Sequence, residues 1–103
     1  MQEVKSRLEL ILTQEEMKRI TINERWQEIT VDVHGLHKGE ARRLIRNVIH
    51  LIRNAFTMTI VHGYNNGVAL QQMFRSTFAD HRVTGIRLIE KNQGVTEYDV
   101  TAA

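Results

Sequence analysis

The 103-residue sequence contains no cysteine and no proline, and aromatic residues make up only 6% of it. The absence of cysteine excludes disulfide bonds and thiolate metal sites, so histidines and carboxylates are the strongest metal ligands that remain. No apolar run is long enough to span a bilayer, and the amino terminus lacks the apolar segment of a signal peptide. We therefore expect one small cytoplasmic domain without a membrane partner.

The small net charge of +2 is unevenly distributed along the chain. Basic and acidic residues cancel in segments 1–27 and 82–100, whereas segment 37–56 has five basic side chains and one acidic side chain. This concentration on one predicted helix favours contact with phosphate groups, and a helix face that is only solvated is the alternative. The basic residues of the segment are Lys38, Arg42, Arg43, Arg46 and Arg53.

Residues 1–27 are predicted to form a helical amino-terminal extension. Thr13 and Glu16 have the spacing of a capping box, which predicts a short second helix that ends near Ile20. Trp26 is expected to anchor this extension to the rest of the molecule.

Residues 28–103 have a different pattern and are predicted to form the main domain. Ile29, Val31 and Val33 alternate with polar residues, which is typical of a strand with one buried face. Two later segments have apolar residues at helical spacing, and Asn66 is the predicted N-cap of the second. The predicted order is βαβαββ, with helices near 39–54 and 67–79 and with strands that begin near 28 and cover 57–61, 83–89 and 95–100.

The alternation within the strands predicts an α/β two-layer sandwich with a four-stranded mixed sheet. A sheet covered by helices on both faces would have continuous apolar strands, so one face is expected to stay open. Right-handed crossovers then place both helices on the other face. The open face is expected to carry Thr30, Asp32, Arg87, Glu97 and Asp99. The expected inward residues are Val31, Leu44, Val48, Ile52, Ile60, Leu70, Met73, Phe74, Thr77, Phe78, Ile86, Leu88, Tyr98 and Val100.

Two His-Gly pairs close predicted strands on either side of the basic helix, and they mark the candidate site. Asp32 and His34 are two residues apart on one strand, so their side chains share a face, and His62 ends the neighbouring parallel strand at the same edge. An aspartate beside a histidine fixes the imidazole tautomer and supports general acid–base chemistry. The alternative is that Asp32 caps a loop amide while both histidines fill a niche at the strand ends.

The loop after His62 has the composition of an anion site. Gly63 and Gly67 flank Asn65 and Asn66, residue types that accept positive φ angles, and a predicted helix follows with its amino-terminal N–H groups directed into the loop. The alternative is a simple turn. The loop has no Walker lysine, so nucleotide hydrolysis of the P-loop type is not expected.

A metal site is the less favoured interpretation of the same residues. Asp32, His34, His37 and His62 offer nitrogen and oxygen ligands for zinc or manganese. No two of them have the helical i, i+4 spacing, and we expect no cofactor.

The motifs resemble those of Smr (small MutS-related) domains. Segment 31–36, Val-Asp-Val-His-Gly-Leu, is similar to their LDxHG motif, segment 62–67 stands in the place of their HGxGxG loop, and segment 94–100 resembles their closing strand. The resemblance covers residues 28–100. It implies a βαβαββ fold similar to the carboxyl-terminal domain of bacterial translation initiation factor three. It also implies nucleic-acid binding, and in several branches of the family endonucleolytic cleavage of DNA or RNA.

The resemblance assigns roles by position. It implies catalytic roles for Asp32, His34 and His62. Cleavage of RNA also needs a cation that stabilises the phosphorane, and Arg87 or an arginine of the basic helix could supply it. Tyr64 stands where the family has lysine or arginine, and a tyrosine can stack on a base instead. Asn65 replaces a glycine. The candidate phosphate-binding and nucleic-acid-binding residues are Gly63, Tyr64, Asn65, Asn66, Gly67, Arg42, Arg43, Arg46 and Arg87.

Three functions from different classes follow from these observations. The first is an endonuclease that acts on RNA or DNA, and the second is a non-catalytic module that binds nucleic acid or the ribosome. The third is a protein-interaction domain that docks an acidic partner on its helices. The sequence does not distinguish DNA from RNA.

Overall fold

A computed structural model describes residues 2–64 and 68–103. The chain forms a five-stranded mixed sheet in the order β1-β2-β3-β5-β4. The β2–β3 pair is parallel, and the other pairs are antiparallel. The strands are β1 (Ile20–Asn23), β2 (Glu28–Asp32), β3 (Phe56–Val61), β4 (Val83–Leu88) and β5 (Val95–Val100). The helices are α1 (Gln2–Ile11), α2 (Gln14–Lys18), α3 (Lys38–Leu51), α4 (Ala69–Gln72) and a π-helix (Met73–Thr77).

The predicted two-layer α/β architecture is confirmed. Buried residues on one face of the strands and on the helices form a single apolar core. The other sheet face carries half-buried or exposed polar side chains in the alternation that the sequence predicts. The predicted core residues Leu44, Val48, Ile52 and Phe74 are buried together with Val31 and Ile60. In the part of the chain that the structure describes, no helix is long and apolar enough to cross a membrane.

The sheet has five strands, and the prediction of four is wrong. The capping box at Thr13 is present, but α2 ends at Lys18, and residues 20–23 form β1 against β2. Ile20 and Ile22 pack against the core from this strand. The segment expected to be entirely helical therefore contributes a strand to the sheet, while the boundary between 1–27 and 28–103 stays a prediction.

Three expectations about individual side chains are also wrong. Trp26 is 64% exposed and stacks under the Arg25 guanidinium, so it does not anchor the amino-terminal segment. Ile86 and Leu88 are on the helix side of β4, opposite Tyr98 and Thr96, but they are exposed. The reason is that β4 is an edge strand.

The second crossover helix is shorter and less regular than the predicted 67–79. It begins at Ala69 and changes to π-helical hydrogen bonding from Met73 to Thr77. Thr77 is exposed and Leu70 only half-buried, so the buried residues of this predicted helix are Met73, Phe74 and Phe78. The predicted N-cap Asn66 lies outside the described residues.

Candidate functional site

Asp32 and His34 form a hydrogen-bonded pair on the open side of the sheet, where β2 ends. Asp32 Oδ1 accepts from the backbone N–H of His34 at 3.1 Å and also contacts the ring Nδ1. Because an ionised carboxylate only accepts, the neutral form of the ring has its proton on Nδ1 and its lone pair on Nε2. The His34 side chain is 66% exposed, so this lone pair faces solvent. The pair therefore has the geometry of an oriented general base.

Arg19 holds the backbone under this pair and was not predicted as a site residue. Its Nη1 donates to the carbonyl oxygens of Asp32 at 3.1 Å and of His34 at 3.2 Å. The Arg19 carbonyl in turn accepts from the N–H of Asp32 at 2.8 Å. Pairing of β1 with β2 brings Arg19 to this place, so the missed strand also explains the missed residue.

His62 lies at the same edge of the sheet but on the opposite face. It is only 4% exposed, and its ring stacks on Phe74 with the centroids 6.4 Å apart. Ile60 and His62 are two residues apart, and both point towards the helices. Both imidazoles therefore lie at the expected edge of the sheet, but they are on opposite faces of it.

Both ring nitrogens of His62 are engaged within the protein. Nδ1 lies 2.8 Å from the carbonyl oxygen of Gly63, which can only accept, so Nδ1 carries a proton. Nε2 lies 2.8 Å from the hydroxyl of Thr96, and that hydroxyl also accepts from Nε of Arg75 at 2.9 Å. The neutral ring therefore accepts the Thr96 proton at Nε2. No ring nitrogen is left free for the proton transfer that the sequence assigned to His62.

The surroundings of His62 keep the ring neutral. Burial lowers the pKa of His62 most strongly, the hydrogen bond to the Gly63 carbonyl raises it, and the positive charge of Arg75 lowers it further. The net effect is a pKa below the ordinary histidine value. Thr96 and Arg75, which complete this arrangement, were not predicted, and only the buried position of Thr96 in the alternation of β5 gave a signal for them.

The loop after β3 is fixed against the β4–β5 turn. The carbonyl of Gly94 accepts from the N–H of His62 at 2.9 Å and from the N–H of Gly63 at 3.0 Å. Gly63 has a φ of 71°, and its Cα lies beside the side chain of His34. The N–H of Gly63 is therefore already donated, whereas Tyr64 is 45% exposed next to it. The candidate residues Asn65, Asn66 and Gly67 lie outside the described residues.

The three candidate arginines of α3 are exposed on the outside of the helix layer. Arg42 contacts the Met73 sulfur at 3.6 Å, and the Arg46 guanidinium lies 5.5 Å from the centre of the Phe78 ring. Across residues 2–64 and 68–103, neither they nor Arg43 form an ion pair. Their charges are therefore available to an external anion.

Arg87, by contrast, forms ion pairs within the protein. Its Nε lies 3.1 Å from Glu97, and its Nη1 lies 2.5 Å from a carboxylate oxygen of Asp99. Hydrogen bonds first to Asp99 and then to Glu97 raise its pKa above the ordinary arginine value. β5 and β3 separate β4 from β2, so three strand spacings place Arg87 roughly 14 Å from Asp32. The structure does not bring Arg87 together with Asp32 and His34.

Asp32, His34, His37 and His62, the residues considered for a metal site, do not come together as a set. His62 points to the core and Asp32 with His34 to the open face. Among the described residues, no group of three or more histidine or carboxylate side chains is arranged to hold a metal ion.

These observations define a two-layer α/β domain whose candidate site lies at the ends of two parallel strands, with an exposed Asp-His pair outside and a buried histidine inside. Comparison with solved structures finds a similar domain, the Smr domain of MutS2 from Thermus thermophilus. The two share 26% sequence identity with a TM-score of 0.58, over 69% of this chain and 95% of that chain. Comparisons with protein-family models and with curated proteins give no match. The chain contains an Smr-like domain, and the resemblance drawn from the His-Gly motifs is confirmed.

Proposed function

We propose that this domain binds the phosphate backbone of nucleic acid along the outer face of α3. The observation that carries the proposal is the set of exposed arginines without an ion pair in the described chain, Arg42, Arg43 and Arg46. An unpaired guanidinium on a convex helix face is well suited to phosphate oxygens. The similarity to an Smr domain supports the same conclusion.

The charge on the opposite side of the molecule favours this choice of surface. Within residues 2–64 and 68–103, the strands present four carboxylates on the open sheet face, on Glu28, Asp32, Glu97 and Asp99, against one arginine, Arg87. A polyanion that crossed this face would meet net negative charge. Nucleic acid should therefore approach along α3 and reach the strand ends from its amino-terminal end, where Tyr64 is available for stacking on a base.

Binding is tested with labelled single-stranded RNA, single-stranded DNA and duplexes over a series of salt concentrations. We expect affinity to fall steeply with salt, because each phosphate contact releases counterions. The double variant Arg43→Glu/Arg46→Glu should bind much more weakly with a shallower salt dependence. The control Lys18→Glu/Arg25→Glu makes the same charge change on exposed residues outside α3 and outside α1, which packs on it, and should bind like the wild type. Equal loss in both variants would show that only net charge matters and would contradict a site on α3.

Cleavage of the bound strand is a second candidate, supported by the exposed Asp32–His34 pair. With RNA, Nε2 of His34 would take the proton of a 2′-hydroxyl as that oxygen attacks the phosphorus, and the 5′ oxygen would leave and take up a proton. His62 is given a positioning role in this proposal, because its ring nitrogens are bonded to Gly63 and Thr96.

Binding depends chiefly on the arginines of α3, whereas cleavage also needs the Asp32–His34 pair, so the two tests are separable. His34→Ala should abolish cleavage of labelled RNA or DNA while leaving affinity nearly unchanged, and Asp32→Asn should reduce cleavage strongly. Assays with and without EDTA determine whether a divalent ion takes part. Full cleavage by His34→Ala would assign the activity to another group or a contaminating nuclease. Binding without cleavage by the wild type would leave the non-catalytic module as the function.

A further inference from the structure

Arg75 uses its guanidinium entirely within the protein, although it lies close to the candidate site. Its Nε donates to the Thr96 hydroxyl at 2.9 Å, and its Nη2 donates to the Val95 carbonyl at 2.8 Å. Its Nη1 reaches the side chain of Gln93 at 3.4 Å. These contacts cover the start of β5 and the turn before it. Arg75 is therefore placed to hold structure and not to bind a phosphate.

Arg75, which can only donate, and the Gly63 carbonyl, which can only accept, together determine the directions of the hydrogen bonds between them. A guanidinium can only donate, so the Thr96 oxygen accepts from it and keeps its own proton for another partner. That partner is Nε2 of His62, at 2.8 Å. His62 then donates from Nδ1 to the Gly63 carbonyl at 2.8 Å. Because the Gly63 carbonyl places the proton of the neutral ring on Nδ1, Nε2 accepts and the Thr96 hydroxyl donates to it.

The chain of hydrogen bonds ends beside the exposed pair. A Cβ added to Gly63 would lie 3.6 Å from the Cβ of His34, so the backbone of Gly63 forms one wall of the His34 side chain's surroundings. The π-helix that carries Arg75 is tied to β5 a second time, because the hydroxyl of Tyr98 donates to the Phe74 carbonyl at 2.6 Å. π-Helical turns are uncommon and are found frequently at functional sites.

We propose that Arg75 is a positioning residue for the nucleic-acid site. It fixes Thr96 as a hydrogen-bond donor, Thr96 fixes the ring of His62, and His62 holds the Gly63 carbonyl and the start of the following loop beside His34. The expected effect on nucleic acid rests on the proposed function, whereas the effect on the His62 ring does not.

The ring of His62 provides the first test, by nitrogen NMR of the imidazole in the full-length protein over a pH series. In the wild type we expect the neutral tautomer with its proton on Nδ1, with protonation only below the ordinary histidine range. In Arg75→Gln the hydroxyl of Thr96 is released and a positive charge is lost, so protonation of His62 should shift to higher pH. Thr96→Val removes the hydroxyl that donates to Nε2 of His62, so it should disturb the same ring. The exposed control Arg7→Gln should leave the ring as in the wild type.

Arg75→Lys separates charge from geometry, because an ammonium keeps the charge but lacks the planar fork that reaches Thr96 and Val95 together. We expect Arg75→Lys not to restore the wild-type tautomer and titration of the His62 ring. A wild-type His62 spectrum and titration in Arg75→Gln or Arg75→Lys would overturn the inference. Circular dichroism of each variant verifies that the fold is retained, and Thr96→Val gives a second test if an Arg75 variant does not fold.

Measurements of nucleic-acid affinity distinguish a positioning role of Arg75 from direct contact between Arg75 and a phosphate. Arg75→Gln should weaken binding on the order of tenfold, because the backbone that leads from Gly63 to the stacking residue Tyr64 is no longer held. The slope of log affinity against log salt should stay unchanged, because Arg75 touches no phosphate. A reduced slope would make Arg75 a phosphate ligand and contradict a positioning role, and so would unchanged affinity. If the wild type binds no nucleic acid at all, the proposed function fails, and the His62 spectra still decide whether Arg75 positions the ring.

Discussion

Gly94 lies against Gly63 so closely that a Cβ on Gly94 would be 3.1 Å from the Cα of Gly63. The Gly94 carbonyl also accepts from two successive N–H groups, those of His62 and Gly63. The turn between β4 and β5 is therefore in direct backbone contact with the loop after β3. This contact holds the buried His62 and the exposed His34 in a fixed relation at the end of the sheet.

Gly94→Ala should destabilise the protein, because the added methyl group meets backbone atoms that cannot rotate away. We expect a loss of about 1–3 kcal/mol in the free energy of unfolding, measured by chemical denaturation. Gly39→Ala is the matched control, since no atom lies within 4 Å of its added Cβ and the residue is in α3. That variant should gain up to about 1 kcal/mol from helix propensity. Equal effects of the two substitutions would contradict the close approach.

The sequence predicted the order of the main elements and the face that each strand buries, because both follow from local periodicity. It did not reveal β1, since Met17 and Ile20 fit a helical spacing and a four-residue strand leaves only Ile20 and Ile22 as its own signal. The alternation in β4 placed Ile86 on the correct face, but no local pattern shows how far a helix layer extends over an edge strand.

The candidate site was predicted only in part, because local spacing shows which side chains share a face but not which distant residues meet. The spacing of Asp32 and His34 gave their shared face directly. His62 continues the buried alternation of Met58 and Ile60, so the sequence held the signal for its inward direction. Arg75, by contrast, meets Thr96 only through the packing of the π-helix on β5, and such long-range contacts leave no mark in local spacing.

Arg82 should be important for stability although it lies outside the candidate site. It is 4% exposed and donates to the carbonyl oxygens of Ile49, Asn54 and Thr101, two of them at or just after the end of α3. Arg82→Met removes these donors and leaves the buried carbonyl of Ile49 without its partner, so we expect a loss of about 2–4 kcal/mol in the free energy of unfolding. The exposed Arg53→Met should change it by less than about 0.5 kcal/mol. A small effect of Arg82→Met in thermal and chemical unfolding would contradict a capping role.

The capping box at Thr13 predicts a smaller effect. The Thr13 hydroxyl accepts from the N–H of Glu16 at 3.1 Å, and the Glu16 carboxylate accepts from the N–H of Thr13 at 2.9 Å. Thr13→Ala should therefore cost about 1 kcal/mol. Thr13→Ser keeps the hydroxyl and should retain most of the stability. If both variants unfold at the same denaturant concentration, the hydroxyl of Thr13 does not support α2.

The free energy of unfolding should decrease as the pH is lowered below about 6.5, because of His62. Its folded-state pKa is lowered by burial, so between that value and the ordinary histidine value the unfolded chain binds a proton that the folded chain does not. Acidification therefore favours unfolding in this window, by up to about 1.4 kcal/mol per pH unit, and the contribution is fully present only above the unfolded-state pKa. His62→Asn removes the titrating ring while retaining a side-chain donor near the Gly63 carbonyl, so it should be less stable at neutral pH and should lose less stability on acidification. Chemical denaturation of both proteins across the pH series measures the two slopes. Parallel curves would mean that His62 is not the group whose protonation couples to unfolding.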